Sequence, residues 1–331
     1  MKRVGLTTTI PVEILLAAGC TPIDLNNIFV TGGKGLEHIE SAEIDGFPRN
    51  LCAWIKGLYT TASTSNIDAV IGVTEGDCSN TKSLIEVWQS KGIKVIPFGF
   101  PQSRQYDVMV KEIEHLMTTF KVSMEEVEEV IKKLYPIRQR VQYLDELTWK
   151  HNKATGFENH LWQVSCSDFN GNPEDFLKEL EIKIKEIENR PTFPEKEVRI
   201  GYIGVPPIIE DIYALVETTG GRVVFNEVQR AFTMAQNTSD ANIYDMYLQY
   251  TYPYDLSTRL IDIKKAIAER SLDGIIHYTQ SFCHRGIEDI LIKKELAVPV
   301  LTIEGDLPGK ADARTKLRLE SFMDMLRDLK E

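Results

Sequence analysis

Short apolar runs alternate with stretches of helical period along most of this chain, and the alternation stops once and restarts. IDAVIGVT (67–74) reads as a buried strand, TKSLIEVWQSKG as a helix ending at Gly92, and IKVIPFGF (93–100) as the next strand. Such alternation is what parallel α/β units require, because each parallel crossover consumes a helix. From 107 to about 149 the apolar spacing is helical, with a break near Lys121-Val122-Ser123 where Ser123 can cap a new helix and Glu126 can answer it. A Glu/Lys-rich helix within 170–197 then runs into NRPTFPEKE, whose two prolines and missing apolar period mark a linker, with the division placed near 195. VRIGYIGVPP (198–207), GRVVFNE, LDGIIHYTQ and VPVLTIEGD restart the strand pattern, separated by the helical IIEDIYALVETTG, LIDIKKAIAERS and RGIEDILIKKEL and closed by TKLRLESFMDMLRDLK. The expected fold is therefore α/β, with two doubly wound parallel-sheet (Rossmann/flavodoxin-like) domains joined by helices. The expected boundaries are 1–150 for the first domain and its connecting helices, 151–196 for the helical connector and linker, and 197–331 for the second.

Composition narrows the function. At 331 residues the chain is long enough for two domains with their own cores. Lys plus Arg number 38 against 49 Asp plus Glu, a formal charge of −11, which argues against nucleic acid as a partner. No segment approaches the ~18 apolar residues of a membrane span. In MKRVGLTTTIPVEILLAAGC the apolar stretch is interrupted by Thr7, Thr8, Thr9, Pro11 and Glu13, so it reads as a strand leading into a helix rather than a leader peptide. A cytoplasmic protein acting on a small molecule or a protein partner is expected.

The five cysteines stand at 20, 52, 78, 166 and 283, without any CxxC pair. They are too sparse for a disulfide scaffold and lack zinc-ribbon or ferredoxin spacing, so any metal site must be assembled by the fold. Cys78 follows a strand in the turn EGDC and precedes a helix, and Cys283 follows LDGIIHYTQ in the same way. Cys52, in GFPRNLCAWIKGLY, falls in the first turn of a helix expected to begin at Leu51. Helix starts beyond the carboxyl ends of parallel strands favour thiolates and ligands. Two readings follow from the residues alone: three metal ligands, or three small buried apolar side chains.

The segments GFPRNLCAWIKGLY, VIGVTEGDCSNTKSLIEVW, FCHRGIEDILIKKELAVPVLTIEGD and ARTKLRLESFMDML resemble those of the 2-hydroxyacyl-CoA dehydratase family, which includes benzoyl-CoA reductase subunits and double-cubane cluster proteins. The likeness runs over nearly the whole chain. TTTIPVEILLAAGCTPIDLNNIF and GDCSN are most similar to the short single-gene branch with the double-cubane cluster proteins. The resemblance implies an oxygen-sensitive iron–sulfur cluster, either a [4Fe-4S] cubane per subunit or a double cubane, held by Cys52, Cys78 and Cys283. It also implies a homodimer and a separate ATP-hydrolysing iron–sulfur activator that donates low-potential electrons. No GxxxxGK(S/T) loop occurs in the sequence, so the ATP chemistry belongs to that partner.

Three functions stay open under this resemblance: an iron–sulfur reductase of a small substrate, a 2-hydroxyacyl-CoA dehydratase component, and a non-enzymatic electron-transfer or cluster-storage protein. The first is preferred. The chain is shorter than a typical acyl-CoA dehydratase subunit, and no Lys/Arg cluster for a CoA phosphate stands out. No catalytic residue is assigned. Glu75, His277 and His284 flank the cysteines as alternative proton donors or ordinary structural hydrogen bonders, and Glu304 and Asp306 are equally well read as part of a turn. Cys20 is read as core and Cys166 as a spare thiol near the site. The tyrosines of 244–256 read as aromatic core or as the lining of a cavity or interface.

Overall fold

A computed structural model describes residues 2–194, 196–234 and 238–330. Two four-stranded sheets carry the fold, and every strand pair in both is parallel. The first contains β1 (Arg3–Leu6), β2 (Thr21–Asp24), β3 (Ala69–Glu75) and β4 (Val95–Gly99), in the order β2-β1-β3-β4. The second contains β5 (Val198–Gly204), β6 (Gly221–Asn226), β7 (Gly274–Gln280) and β8 (Val300–Gly305), in the order β6-β5-β7-β8. The two orders are the same. Each is the flavodoxin-like arrangement, with its reversal of strand order between the first and third strands. Helices between successive strands cover the sheets, which is why strands such as β7 are buried along their whole length.

The chain divides into two compact units, each assembled from three segments. The first comprises Met1–Gln139, Ser165–Lys178 and Phe232–Asp255; the second comprises Arg140–Val164, Glu179–Ala231 and Leu256–Glu331. The division expected near 195 falls on Glu195, which lies outside the described residues.

Local chemistry explains the helix boundaries. Helix Tyr106–Phe120 ends on Lys121 at φ 58°, and helix Met124–Trp149 opens with a reciprocal capping box. The Ser123 N–H donates to Glu126 Oε2 at 2.8 Å and the Glu126 N–H to Ser123 Oγ at 3.3 Å. In the first sheet both prolines, Pro22 and Pro97, sit on edge strands, where a missing ladder donor is tolerated. The tyrosine-rich segment is core of the first unit. Tyr247, Tyr250 and Tyr254 are buried around Phe100, and the Tyr247 hydroxyl reaches Glu13 Oε2 at 2.8 Å, beside the Glu13–Arg138 ion pair.

Buried carboxylates fasten the Ser165–Lys178 segment to β2. Asp168 Oδ2 accepts from the Asp24 N–H at 2.7 Å, and Ser167 Oγ donates to Asp24 Oδ2 at 2.5 Å. Burial, with the charge of Asp24 second, pushes Asp168 up to about 7, and burial raises Asp24 as well. An acid whose folded pKa lies above its unfolded value takes up a proton on folding. Its contribution is complete below the unfolded value of 3.8 and is lost as the pH rises through about 7. Urea unfolding of this unit is therefore expected to lose about 1 kcal/mol between pH 6 and pH 8. Asp168→Asn should flatten that slope; an equal slope in the variant would locate the proton elsewhere.

Candidate functional site

The carboxyl end of each sheet carries a cysteine at the same topological place. β3 ends at Glu75 and β7 at Gln280; Cys78 and Cys283 each lie three residues further on, beside the point where the strand order reverses. That crevice is where open parallel sheets bind ligands.

The turn before Cys78 is built on Gly76, at φ 86°, a conformation that costs any side chain. A Cβ at Gly76 would stand 2.7 Å from Phe100 Cβ and 2.9 Å from Pro253 Cβ, so the backbone needs both the conformation and the space. Glu75 is structural here: its carboxylate accepts the Gln102 N–H at 2.8 Å and its carbonyl the Phe100 N–H at 2.9 Å. The Cys78 carbonyl then accepts the Thr81 N–H at 3.0 Å as helix Asn80–Ser90 starts from Ser79.

Cys52 differs by one step from the sequence expectation. The Leu51 N–H donates to the Pro48 carbonyl at 3.2 Å, a turn that keeps Leu51 out of the helix. The helix is Ala53–Thr64, and Cys52 is its N-cap, with its carbonyl receiving the Lys56 N–H at 3.3 Å. Because this helix feeds directly into parallel β3, its start lies beyond the carboxyl ends of the strands, like that of Cys78. Cys52 and Cys78 border one apolar cluster with Ile55, Leu84 and Trp88.

Cys283 belongs to the second unit. It N-caps a 3-10 turn, His284–Glu288, that precedes the helix Asp289–Glu295; the expected single helix thus begins with a tighter turn. Phe282 beside it stands at φ 64° and is 62% exposed, a backbone strain that accompanies functional turns more often than inert ones. Burial pushes the Cys283 thiol up, opposed by the Arg285 backbone N–H and guanidinium. The turn is anchored from below. Glu288 pairs with the fully buried Arg259, which also holds Glu227 through bonds of 2.7 and 2.9 Å, and Glu227 accepts the N–H of Gly204 at the end of β5 at 2.9 Å.

His277 is buried within β7, with Nδ1 2.9 Å from Asp289 Oδ1, and Asp289 also receives Thr302 Oγ1 at 2.5 Å. The histidine thereby ties β7 to the helix after Cys283. Glu304 receives Ser281 Oγ at 3.0 Å and the Asp306 carbonyl receives Gln280 Nε2 at 2.5 Å, so both belong to the turn chemistry at the sheet end. Cys166 lies buried beside Arg138, and burial pushes its thiol up to about 12, which keeps it protonated. Cys20 is buried core, and burial raises it too.

The donor set suits a soft, acceptor-rich group. Thiols at helix starts are the natural ligands of iron–sulfur centres. Two buried donors close to them in sequence, Trp54 Nε1 and Thr81 Oγ1, have no hydrogen-bond acceptor among the described residues. Among the described residues, no three His, Cys, Asp or Glu side chains are gathered closely enough to hold a metal ion by themselves.

The family model for the 2-hydroxyglutaryl-CoA dehydratase D-component matches residues 7–326. The chain belongs to this family. The D-component match takes in both sheets apart from β1, which ends one residue before it, and it includes all three cysteines singled out above. The 2-hydroxyacyl-CoA dehydratase resemblance drawn from the sequence is therefore correct, and this family member is a component of the dehydratase type. No curated protein matches the chain. No described helix is long and apolar enough to cross a membrane.

Proposed function

We propose that this D-component family member holds an iron–sulfur cluster through Cys52, Cys78 and Cys283, and uses it to accept low-potential electrons from a separate ATP-hydrolysing activator and reduce a small substrate. The observation that carries this reading is the matched placement of Cys78 and Cys283, each three residues past the third strand of its sheet, with Cys52 bordering the same apolar cluster as Cys78. Such a cluster, when bound, supplies one-electron chemistry at a strongly reducing potential. The protein's own contribution is to hold the thiols at helix starts, where backbone dipoles favour negative charge, and to surround Cys52 and Cys78 with apolar side chains that limit water. The working form is a homodimer in the cytoplasm, and the three thiols of each chain support either one cubane per subunit or a shared double cubane.

A second reading, dehydration of a 2-hydroxyacyl-CoA, is favoured by the D-component match itself. One assay separates the two. Anaerobically purified protein with activator and ATP is expected to reduce small unsaturated molecules in the absence of any CoA thioester, and to be inert without the ATPase. Catalytic elimination of water from a 2-hydroxyacyl-CoA would make dehydration the function. Cluster reduction without turnover of either substrate class would point to electron transfer alone.

A further inference from the structure

The chain re-enters the first unit at Ser165 and leaves it after Lys178, and two acids hold this segment on β2. Asp24 and Asp168 are both buried, at 2% and 6% exposure. Asp168 accepts the Asp24 N–H through Oδ2 and the Asn170 N–H, at 2.9 Å, through Oδ1. Asp24 accepts the Ser167 hydroxyl through Oδ2, and through Oδ1 the backbone and side-chain N–H groups of Asn26, both at 2.8 Å. Among the described residues, no Lys, Arg or His pairs with either carboxyl group. The other titratable groups packed here are engaged elsewhere or neutral. Arg138, from helix Met124–Trp149, lies 5.8 Å from the Phe169 ring centroid and is paired with Glu13, whose other oxygen receives Tyr247. Cys166, on the segment itself, is a protonated thiol.

Two neighbouring buried carboxyl groups without a cation cannot both be charged, so the closed arrangement holds a proton. The backbone that it closes is strained. Phe169, fully buried, and Asn170 both stand at φ 50°, and Gly171 follows at φ 77°. A Cβ at Gly171 would lie 3.0 Å from Thr21 Cγ2, so the turn is pressed against β2. Left-handed backbone at a bulky residue persists only where its surroundings enforce it. We infer that the Asp24–Asp168 pair is a proton-operated latch: loss of its proton frees the 165–178 segment from β2, lets the left-handed turn relax and uncovers the Cys166 thiol. Burial first, and the Asp24 charge second, push Asp168 up to about 7 in the closed state, against 3.8 for a released carboxyl group. The open state therefore gives up the proton more readily, and opening rises with pH through neutrality.

Hydrogen exchange of the whole chain, read by mass spectrometry as protection factors from pH 6 to pH 8, tests the latch. Protection over 165–178 is expected to lie below that of β1 and β3 at every pH and to fall about tenfold across the range. Asp168→Asn keeps a neutral acceptor in place and should show no such fall. Iodoacetamide labelling of Cys166, taken as the ratio of wild type to Asp168→Asn at each pH so that thiol ionisation cancels, should rise by the same factor. Asp24→Asn removes the neighbouring charge but keeps Asp168, and should move the response to lower pH. Constant wild-type protection over 165–178, or protection equal to that of β1 and β3, would overturn the latch; the latter would mean that the segment opens only when the unit unfolds. An undiminished pH response in Asp168→Asn, or an unshifted one in Asp24→Asn, would overturn it as well.

Discussion

Serine at Cys52, Cys78 or Cys283 is expected to strip most of the iron and sulfide from anaerobically purified protein, whereas serine at Cys20 or Cys166 should leave the content unchanged. A serine hydroxyl stays protonated where a thiol would ionise onto iron, so each replacement removes a ligand and not merely a contact. Cys20 and Cys166 are buried groups whose ionisation burial opposes, with Cys166 pushed up to about 12. Cys52, Cys78 and Cys283 stand at helix starts, and at Cys283 the burial that raises the thiol is opposed by the backbone N–H and guanidinium of Arg285. Small side chains at all three sites should disturb packing little, so circular dichroism should match wild type. Full iron in all five variants would refute the ligand assignment. Loss confined to Cys166→Ser would move it.

Arg259→Met is expected to destabilise the second unit by about 3–5 kcal/mol, read as a fall in the denaturant midpoint of that unit. The guanidinium is fully buried and neutralises two carboxylates, Glu227 at 2% and Glu288 at 20% side-chain exposure. Burial by itself would raise Glu227; the Arg259 charge and hydrogen bonds overcome it and hold the carboxyl below its usual range. Methionine fills much of the volume but leaves Glu227 charged and buried. The double variant Arg259→Met/Glu227→Gln should recover part of the loss, because the uncompensated charge is gone. Since Glu288 closes the turn that starts at Cys283, the single variant should also speed amide exchange over 281–295. A midpoint within experimental error of wild type would show that the pair is not the anchor of this turn.

Much of the fold was legible because its signals are local. Seven of the eight strands fall in segments read as strands from apolar runs or, for β1, from the order of the opening residues, and Ser123 with Glu126 announces a helix start through bonds spanning three residues. β2 was not legible. Its TPID contains a proline and an aspartate, and it is a strand only because β1 offers it a ladder and an edge strand tolerates Pro22. The cysteines at Cys78 and Cys283 could be placed in advance for the same reason as the strands: a strand, a turn and a helix in sequence fix where the turn lies.

What only the tertiary structure decided is long-range. Nothing local announces that Phe232–Asp255 packs with the first unit, or that Ser165–Lys178 does; their partners, Glu13, Phe100 and Asp24, lie far away in the chain. The unanswered donors of Trp54 and Thr81 were equally invisible, since an indole N–H or a hydroxyl in a sequence carries no record of whether folding supplies an acceptor. The sequence by itself determined the type of each element and the residue chemistry at its ends, because propensity, capping and apolar period act over a few residues. Which elements bury one another, and which polar atoms are left without partners when they do, is set by contacts between residues far apart in the chain, from 29 positions for Tyr59 and Trp88 to 234 for Glu13 and Tyr247, and only the folded chain contains those.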